Sequence, residues 1–140
     1  MQIRSFQLSD YRSVAQLFEQ VLSVECCEET MEAFARQLSW DSDLVLVAEN
    51  EKAEIVGALI GTIDNHQGYM YRIAVHPDFR RQGVGKALIG SMAKRFRQRK
   101  VLNVLIPEDK HNALLRPFYE ALGVRANQFA ERARLSIVAG

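Results

Sequence analysis

Apolar residues change their spacing several times along the chain, and each change marks an element. Ile3, Phe6 and Leu8 open in a strand-like manner. Val14, Leu17, Phe18, Val21 and Leu22 then recur at i, i+3, i+4, i+7 and i+8, the stripe of an amphipathic helix for which Ser9 is the expected cap. Met31, Phe34, Ala35 and Leu38 make a second helical stripe ending near Trp40, with Glu28, Glu29 and Glu32 on the wet face. Asp43 to Glu49 and Glu54 to Ile63 are rich in Val, Leu and Ile and are joined by Asn50-Glu51-Lys52, which predicts a hairpin. The turn Asp64-Asn65-His66-Gln67-Gly68 leads into a fourth strand, Tyr69 to Val75. Its alternation predicts Tyr69, Tyr71, Ile73 and Val75 on one face and Met70, Arg72 and Ala74 on the other. Pro77 ends that strand.

A third helix follows, with Val84, Leu88, Met92 and Phe96 inward and a basic end from Lys94 to Lys100 that suits its own dipole. Val101 to Ile106 has the pattern of a buried strand stopped by Pro107. Asn112 to Leu122 is helical with Gly123 as its stop, and Pro117 requires either a helix start near Arg116 or a kink. Val124 to Phe129 and Arg134 to Ala139 supply two last strands. Hairpins first and one crossover helix between the fourth and fifth strands imply an α/β (α+β) fold in one domain, residues 1–140: a mixed, mostly antiparallel sheet of about seven strands covered by four helices.

At 140 residues and 48% apolar content the chain suits one core and is too short for two. A net charge of +1 provides no global field toward nucleic acid or an anionic membrane, so neither is an expected partner. The longest apolar runs, such as Leu44 to Ala48, fall far short of the roughly 20 residues that span a bilayer. The start of the chain alternates like a strand and lacks the pattern of an export leader. Cys26 and Cys27 are adjacent, a poor arrangement for an intrachain disulfide, so a reducing cytoplasmic setting is expected.

The densest chemical signal is the run from Ile73 to Leu88, where an apolar strand passes through a basic, glycine-spaced turn into a helix. Gly83 and Gly85 let backbone approach an anion, the first helical turn leaves its N–H groups unpaired, and the helix dipole favours negative charge there. Arg80, Arg81 and Lys86 add full charges at the same mouth. A Walker loop would need four residues between its glycines and a Ser or Thr after Lys86, where this chain has Ala87. A dinucleotide fingerprint would need a third glycine where this chain has Leu88. The pattern R/Q-x-x-G-x-G/A, carried by Arg80, Gly83 and Gly85 after Ile73-Ala74-Val75-His76-Pro77, resembles the acetyl-CoA signature of the GNAT superfamily of N-acetyltransferases. The resemblance runs through the chain: Ile3, Arg4, Phe6 and Asp10 at the start, Val56-Gly57 in the third strand, and Asn112, Phe118, Tyr119, Glu120, Leu122 and Gly123 near the end. The pattern is most similar to small bacterial acetyltransferases of the ribosomal-protein-alanine type and their uncharacterised relatives, which share the turn Asp64, His66, Gly68.

The resemblance implies a sheet whose fourth and fifth strands splay apart, with acetyl-CoA as cosubstrate. The pantetheine arm would lie along Ile73, Ala74 and Val75 like an added strand, and the Val75 N–H would polarise the thioester carbonyl. The pyrophosphate would rest on amides from Arg81 through Gln82, Gly83, Val84 and Gly85 to Lys86, beside Arg80, and Asn112 would bond the pantetheine amide. Tyr119 takes the place of the general acid, since a phenol of pKa about 10 can protonate a thiolate whose conjugate acid is near 8.5. Many relatives carry a strand-four carboxylate in E-R-I-x-V, where this chain has Tyr71-Arg72-Ile73-Ala74-Val75 and Tyr71 cannot be the base at neutral pH, and Glu108 stands near the position of the base in the alanine-acetylating relatives. His66 is a further base candidate acting through water. Glu25, Glu28, Glu29 and Glu32 would wall the acceptor site. His76 and His111 have no partners at metal-ligand spacing, so no metal is assigned. The implied activity is direct acetyl transfer to a primary amine, small-molecule or peptide, in a ternary complex, with a homodimer as the expected assembly. The alternative is a CoA-sensing or partner-binding domain that has lost turnover.

Overall fold

The computed structural model describes residues 1–124 and 128–131. In chain order the elements are β1 (Gln2–Ser5), α1 (Tyr11–Val21), α2 (Val24–Trp40), β2 (Val45–Glu49), β3 (Ile55–Asp64), β4 (Gln67–Val75), α3 (Val84–Gln98), β5 (Asn103–Glu108), α4 (Lys110–Leu114), α5 (Arg116–Ala121) and β6 (Phe129–Glu131). The strands form one sheet in the order β1-β2-β3-β4-β5-β6. The first three pairings are antiparallel, and β4/β5 and β5/β6 are parallel.

Among the described residues there are six strands and five α-helices, where about seven and four were expected. The extra helix comes from Pro117. Lacking an N–H, it cannot continue α4, so the chain breaks at Leu115 and restarts with Pro117 in the first turn of α5. The expected strand from Arg134 to Ala139 lies outside the described residues. Pro107 does not stop β5 but sits within it. The last β4/β5 pair is Tyr69 with Leu105, so a missing N–H at Pro107 breaks no bond between those strands.

Ser9 does not cap α1. It lies in a 3-10 turn, Leu8–Asp10, that leaves Leu8 exposed. The Asp10 carboxylate ties this corner instead, accepting from the Gln7 N–H at 2.8 Å and from Arg4 at 2.8 and 3.0 Å. Ser23 caps α2 by accepting from the Cys26 N–H.

The sheet separates two cores. On one face α3 packs Leu88, Met92 and Phe96 against Leu46, Leu59, Met70 and Ile73. On the other, α1 and α2 bring Val14, Phe18 and Phe34 to Val47, Ala58, Tyr71 and Ala74. The buried face of α2 is Thr30, Phe34 and Gln37, with Met31 and Leu38 flanking and Ala35 exposed. The strict alternation expected of β4 fails at one point. Ile60 pairs with Arg72 and Gly61 with Met70, so Tyr71 is a bulge with no partner across the ladder. The extra residue puts Met70 and Ile73 toward α3 and Tyr71 and Ala74 toward α1 and α2. The helix α3 lies so close to β4 that a Cβ at Gly68 would stand 2.7 Å from the Phe96 ring.

Candidate active site

Beyond Tyr69, β4 and β5 part, and a cleft of about 560 Å³ opens beside the C-terminal half of β4. Ile73, Ala74 and Val75 form its floor, and Arg80, Arg81, Gly83, Val84, Gly85 and Lys86 one end. The far wall is α4 and α5, through His111, Leu114, Leu115 and Phe118, with Val21 of α1 opposite.

The splay leaves β4 backbone without a strand partner, and side chains take its place. Asn112 Nδ2 donates to the Tyr71 carbonyl at 3.0 Å, Arg80 Nε donates to the Val75 carbonyl at 3.2 Å, and His111 Nε2 lies 3.4 Å from the Ile73 carbonyl. Successive carbonyls on one edge of a strand are two residues apart, so these three groups mark the edge an incoming extended chain would pair with.

The end of the cleft is built to take an anion. Arg81 (φ 63°) and Gly83 (φ 81°) are left-handed on either side of Gln82, turning the chain sharply into α3. No side chain caps α3, and its first backbone bond runs from the Ala87 N–H to the Gly83 carbonyl at 3.0 Å, so the preceding amides have no partner within the helix. A diphosphate linked to an extended amide-containing arm fits this pairing of cradle and open edge.

Four residues expected at the site have side chains that do not line the cleft, Gln82 among them although its expected contact is a backbone amide. Gln82 turns from the cleft toward a neighbouring hollow, its Nε2 3.4 Å from the Asp78 carbonyl. Asn112 is buried behind the wall, where it binds Tyr71 and also donates to the Pro107 carbonyl at 2.8 Å, bridging the diverging strands. Tyr119 is fully buried in the core on the α3 side, off the cleft wall, and burial pushes its hydroxyl well above the usual phenol value. Glu108 points away and is paired with Arg116 at 3.1 Å. None of the four helix-α2 glutamates lines the cleft, and His66 sits in the β3–β4 turn, at the other end of β4. The basic end of α3 is also remote from the cleft: Arg99 pairs with Asp41, and Arg95 donates to Ser5 at 2.7 Å.

Behind the floor lies a network that the sequence pattern did not assemble. Arg72 is fully buried, donates to Thr30 of α2 at 2.9 Å and to Asn112 at 3.1 Å, and pairs with Asp109 at 2.9 Å. Burial works against its charge, but the bond and charge of Asp109 outweigh it and keep the guanidinium protonated. Burial likewise opposes the Asp109 carboxylate, and the bonds from Arg72 and the Asn112 N–H hold it below the usual carboxylate range. Burial, and then the Arg72 charge, push the His111 imidazole below its ordinary value, so it is neutral at pH 7. Burial raises both thiols, Cys26 and Cys27, which disfavours the reactive thiolate. The signal for this network was a lone charge in the apolar strand Tyr69–Val75, since a buried arginine requires a buried acid.

Comparison with known proteins places this geometry. The family model described as Acetyltransferase (GNAT) family matches residues 11–124. An acetyltransferase of Yersinia enterocolitica is 39% identical over 111 residues, covering 78% of both chains. In fold, the chain is similar to the PaiA N-acetyltransferase of Thermoplasma acidophilum solved with coenzyme A, at TM-score 0.70 and 16% identity over 86% of this chain and 87% of that one. It is also similar to the ribosomal-protein-S18-alanine N-acetyltransferase of Escherichia coli, at TM-score 0.66 and 21% identity over 87% and 76%.

Proposed function

The chain belongs to the acetyltransferase (GNAT) family, and from that premise we propose that it transfers an acetyl group from acetyl-CoA to a primary amine by direct attack in a ternary complex. The observation that carries this reading is the open edge of β4 lying in line with the anion cradle at the start of α3. A pantetheine arm is an extended chain with two amides, and its natural partner is strand backbone that has lost a neighbour. The diphosphate to which it is attached then reaches the α3 amides, Arg80, Arg81 and Lys86. An amide N–H of the open edge, that of Val75, is aimed at the thioester oxygen as negative charge develops there, a contribution on the order of 3 kcal/mol.

The departing thiolate needs a proton, and Tyr119 is assigned to supply it. Burial keeps its hydroxyl protonated, yet the same burial makes it a reluctant donor, so the assignment requires the sulfur to come against the Tyr119 side of α5. The acceptor, a small-molecule or peptide amine, enters past Val21 and Leu114, and the half-buried adjacent thiols of Cys26 and Cys27 suit a reducing cytoplasm.

Calorimetric titration with acetyl-CoA, with ATP and NAD as controls, tests the cofactor, and a screen of primary amines for thiol release tests the transfer. One-to-one micromolar binding of acetyl-CoA alone, followed by amine-dependent thiol release, is expected. Equal binding of ATP would reduce the cleft to a general phosphate site. Tyr119→Phe should lower turnover about 100-fold with acetyl-CoA affinity retained. Unchanged rates at every pH would assign the thiolate proton to solvent.

A further inference from the structure

We propose that His111 is the catalytic base of this cleft, the group that takes the proton from the acceptor nitrogen during acetyl transfer. The inference rests on reading the cleft as the acetyl-CoA site and concerns the one step that reading leaves without a residue. Glu108 is turned outward to Arg116, and the strand-four carboxylate position holds Tyr71, a phenol that burial keeps protonated. Of the described residues lining the cleft, the charged ones are Arg80, Arg81 and Lys86, none of which accepts a proton at neutral pH, and the rest apart from His111 are apolar or glycine.

His111 has the right place as well as the right chemistry. It opens the far wall on α4 and faces the middle of the three open-edge carbonyls, with Nε2 3.4 Å from Ile73 O. That separation is long for a hydrogen bond, so little is lost when the carbonyl is taken by a pantetheine amide pairing along the same edge. The ring is then left beside the thioester, next to Ala74 and Val75. Three charged groups act on it: Arg72 from β4 and Arg80 from the following loop disfavour its protonation, and Asp109 before α4 favours it. With burial added, the result is an imidazole that carries a lone pair at pH 7.

The step balances without another reagent. The acceptor ammonium first loses a proton to water, and the neutral nitrogen then bonds to the acetyl carbon, giving an adduct whose remaining N–H is more acidic than the parent ammonium because the carbon now carries oxygen and sulfur. The imidazole accepts that proton as the C–S bond breaks, the electron pair leaves on sulfur, and the sulfur takes a proton from Tyr119 or solvent. The products are the amide and the free thiol, and His111 returns its proton to water.

The chain has three histidines, so the ring signals can be assigned by loss in single variants. On NMR titration, the His111 signal should shift with acetyl-CoA and stay in place with ADP, which carries the diphosphate without the pantetheine arm. The same response to both, or to neither, would overturn the proposal. His111→Gln keeps a donor for Ile73 O but cannot accept a proton. It should bind acetyl-CoA within about threefold of wild type and acetylate the best amine of the screen about 100-fold more slowly. It should also lack the fall in kcat expected of wild type on acidification below the ordinary imidazole range. Wild-type rates in this variant, or a retained acid limb, would sink the base role. Failure of acetyl-CoA to bind the wild-type protein at all would instead remove the acetyl-transfer reading itself.

Discussion

The two halves of β4 make different use of the same backbone. Gln67, Gly68 and Tyr69 have β3 on one side and β5 on the other, with α3 pressed against the Gly68 face. Ile73, Ala74 and Val75 keep β3 but have lost β5, and side chains from His111 and Arg80 meet their open edge, with Asn112 on the Tyr71 carbonyl just before it. The first half therefore holds the sheet together and the second is available to a ligand. The bulge at Tyr71 and the Arg72 network mark the boundary between them. Stability and binding are separated along one strand, and substitutions should affect one or the other according to where they fall.

The largest effect belongs to the boundary. Arg72→Met leaves the Asp109 carboxylate buried without its cation and should cost about 3–5 kcal/mol in urea unfolding, impairing both halves. Adding Asp109→Leu should recover most of that loss. Acid reaches a related state without mutation. The Asp109 value is depressed in the folded protein, so its stabilisation is present above the unfolded value of about 3.9 and is lost as pH falls through the folded value. Gly68→Val disturbs only the paired half. Its side chain meets the Phe96 ring, and the midpoint of unfolding should drop by the equivalent of about 1–3 kcal/mol while the acetyl-CoA dissociation constant stays put.

Arg80→Ala should do the reverse, weakening acetyl-CoA about tenfold, or about 1.4 kcal/mol, with stability changed by less than about 0.5 kcal/mol. Raising the salt concentration should narrow that gap between variant and wild type, since the lost contact is a charge on phosphate. A loss of stability equal to the loss of binding would mean the two halves are not separable. The smallest effect is on pH dependence. The His111 value is lowered on folding, so the unfolded chain takes up the proton first as pH falls below about 6.5, and stability declines from there until the folded imidazole also protonates. In His111→Gln the unfolding free energy should be flatter across that window.

The cradle was legible because it is local. A strand, two glycines, three cations and a helix start lie within sixteen residues, Ile73 to Leu88, and each has a backbone consequence that does not depend on distant partners. The helix stripes of α1 and α3 were legible for the same reason, since periodicity reports a face. What escaped depends on meetings across the chain. Thirty-seven or more residues separate Arg72 from Thr30, Asp109 and Asn112, and thirty-eight separate Ile73 from His111, so no spacing rule could pair them. The bulge defeated the alternation of β4 because one unpaired residue reverses every later position. The burial of Tyr119 was not legible because the expected run from Asn112 to Leu122 is two helices, and the break at Pro117 sets the face that Tyr119 presents independently of Asn112. Glu108 stands near the position of the base in similar proteins, but position along the chain does not fix direction, and the side chain pairs with Arg116.

An exposed strand edge is also a hazard, because unpaired carbonyls and amides invite a strand from another molecule. Here three side chains screen the edge: an amide, an imidazole and a guanidinium, each on a carbonyl of alternate residues from Tyr71 to Val75. Two of the three carry or can acquire positive charge, which repels a second copy presenting the same edge. The second half of β4 is thus kept open without serving as a seed for edge-to-edge association, and trimming Arg80 and His111 together should promote self-association through this edge.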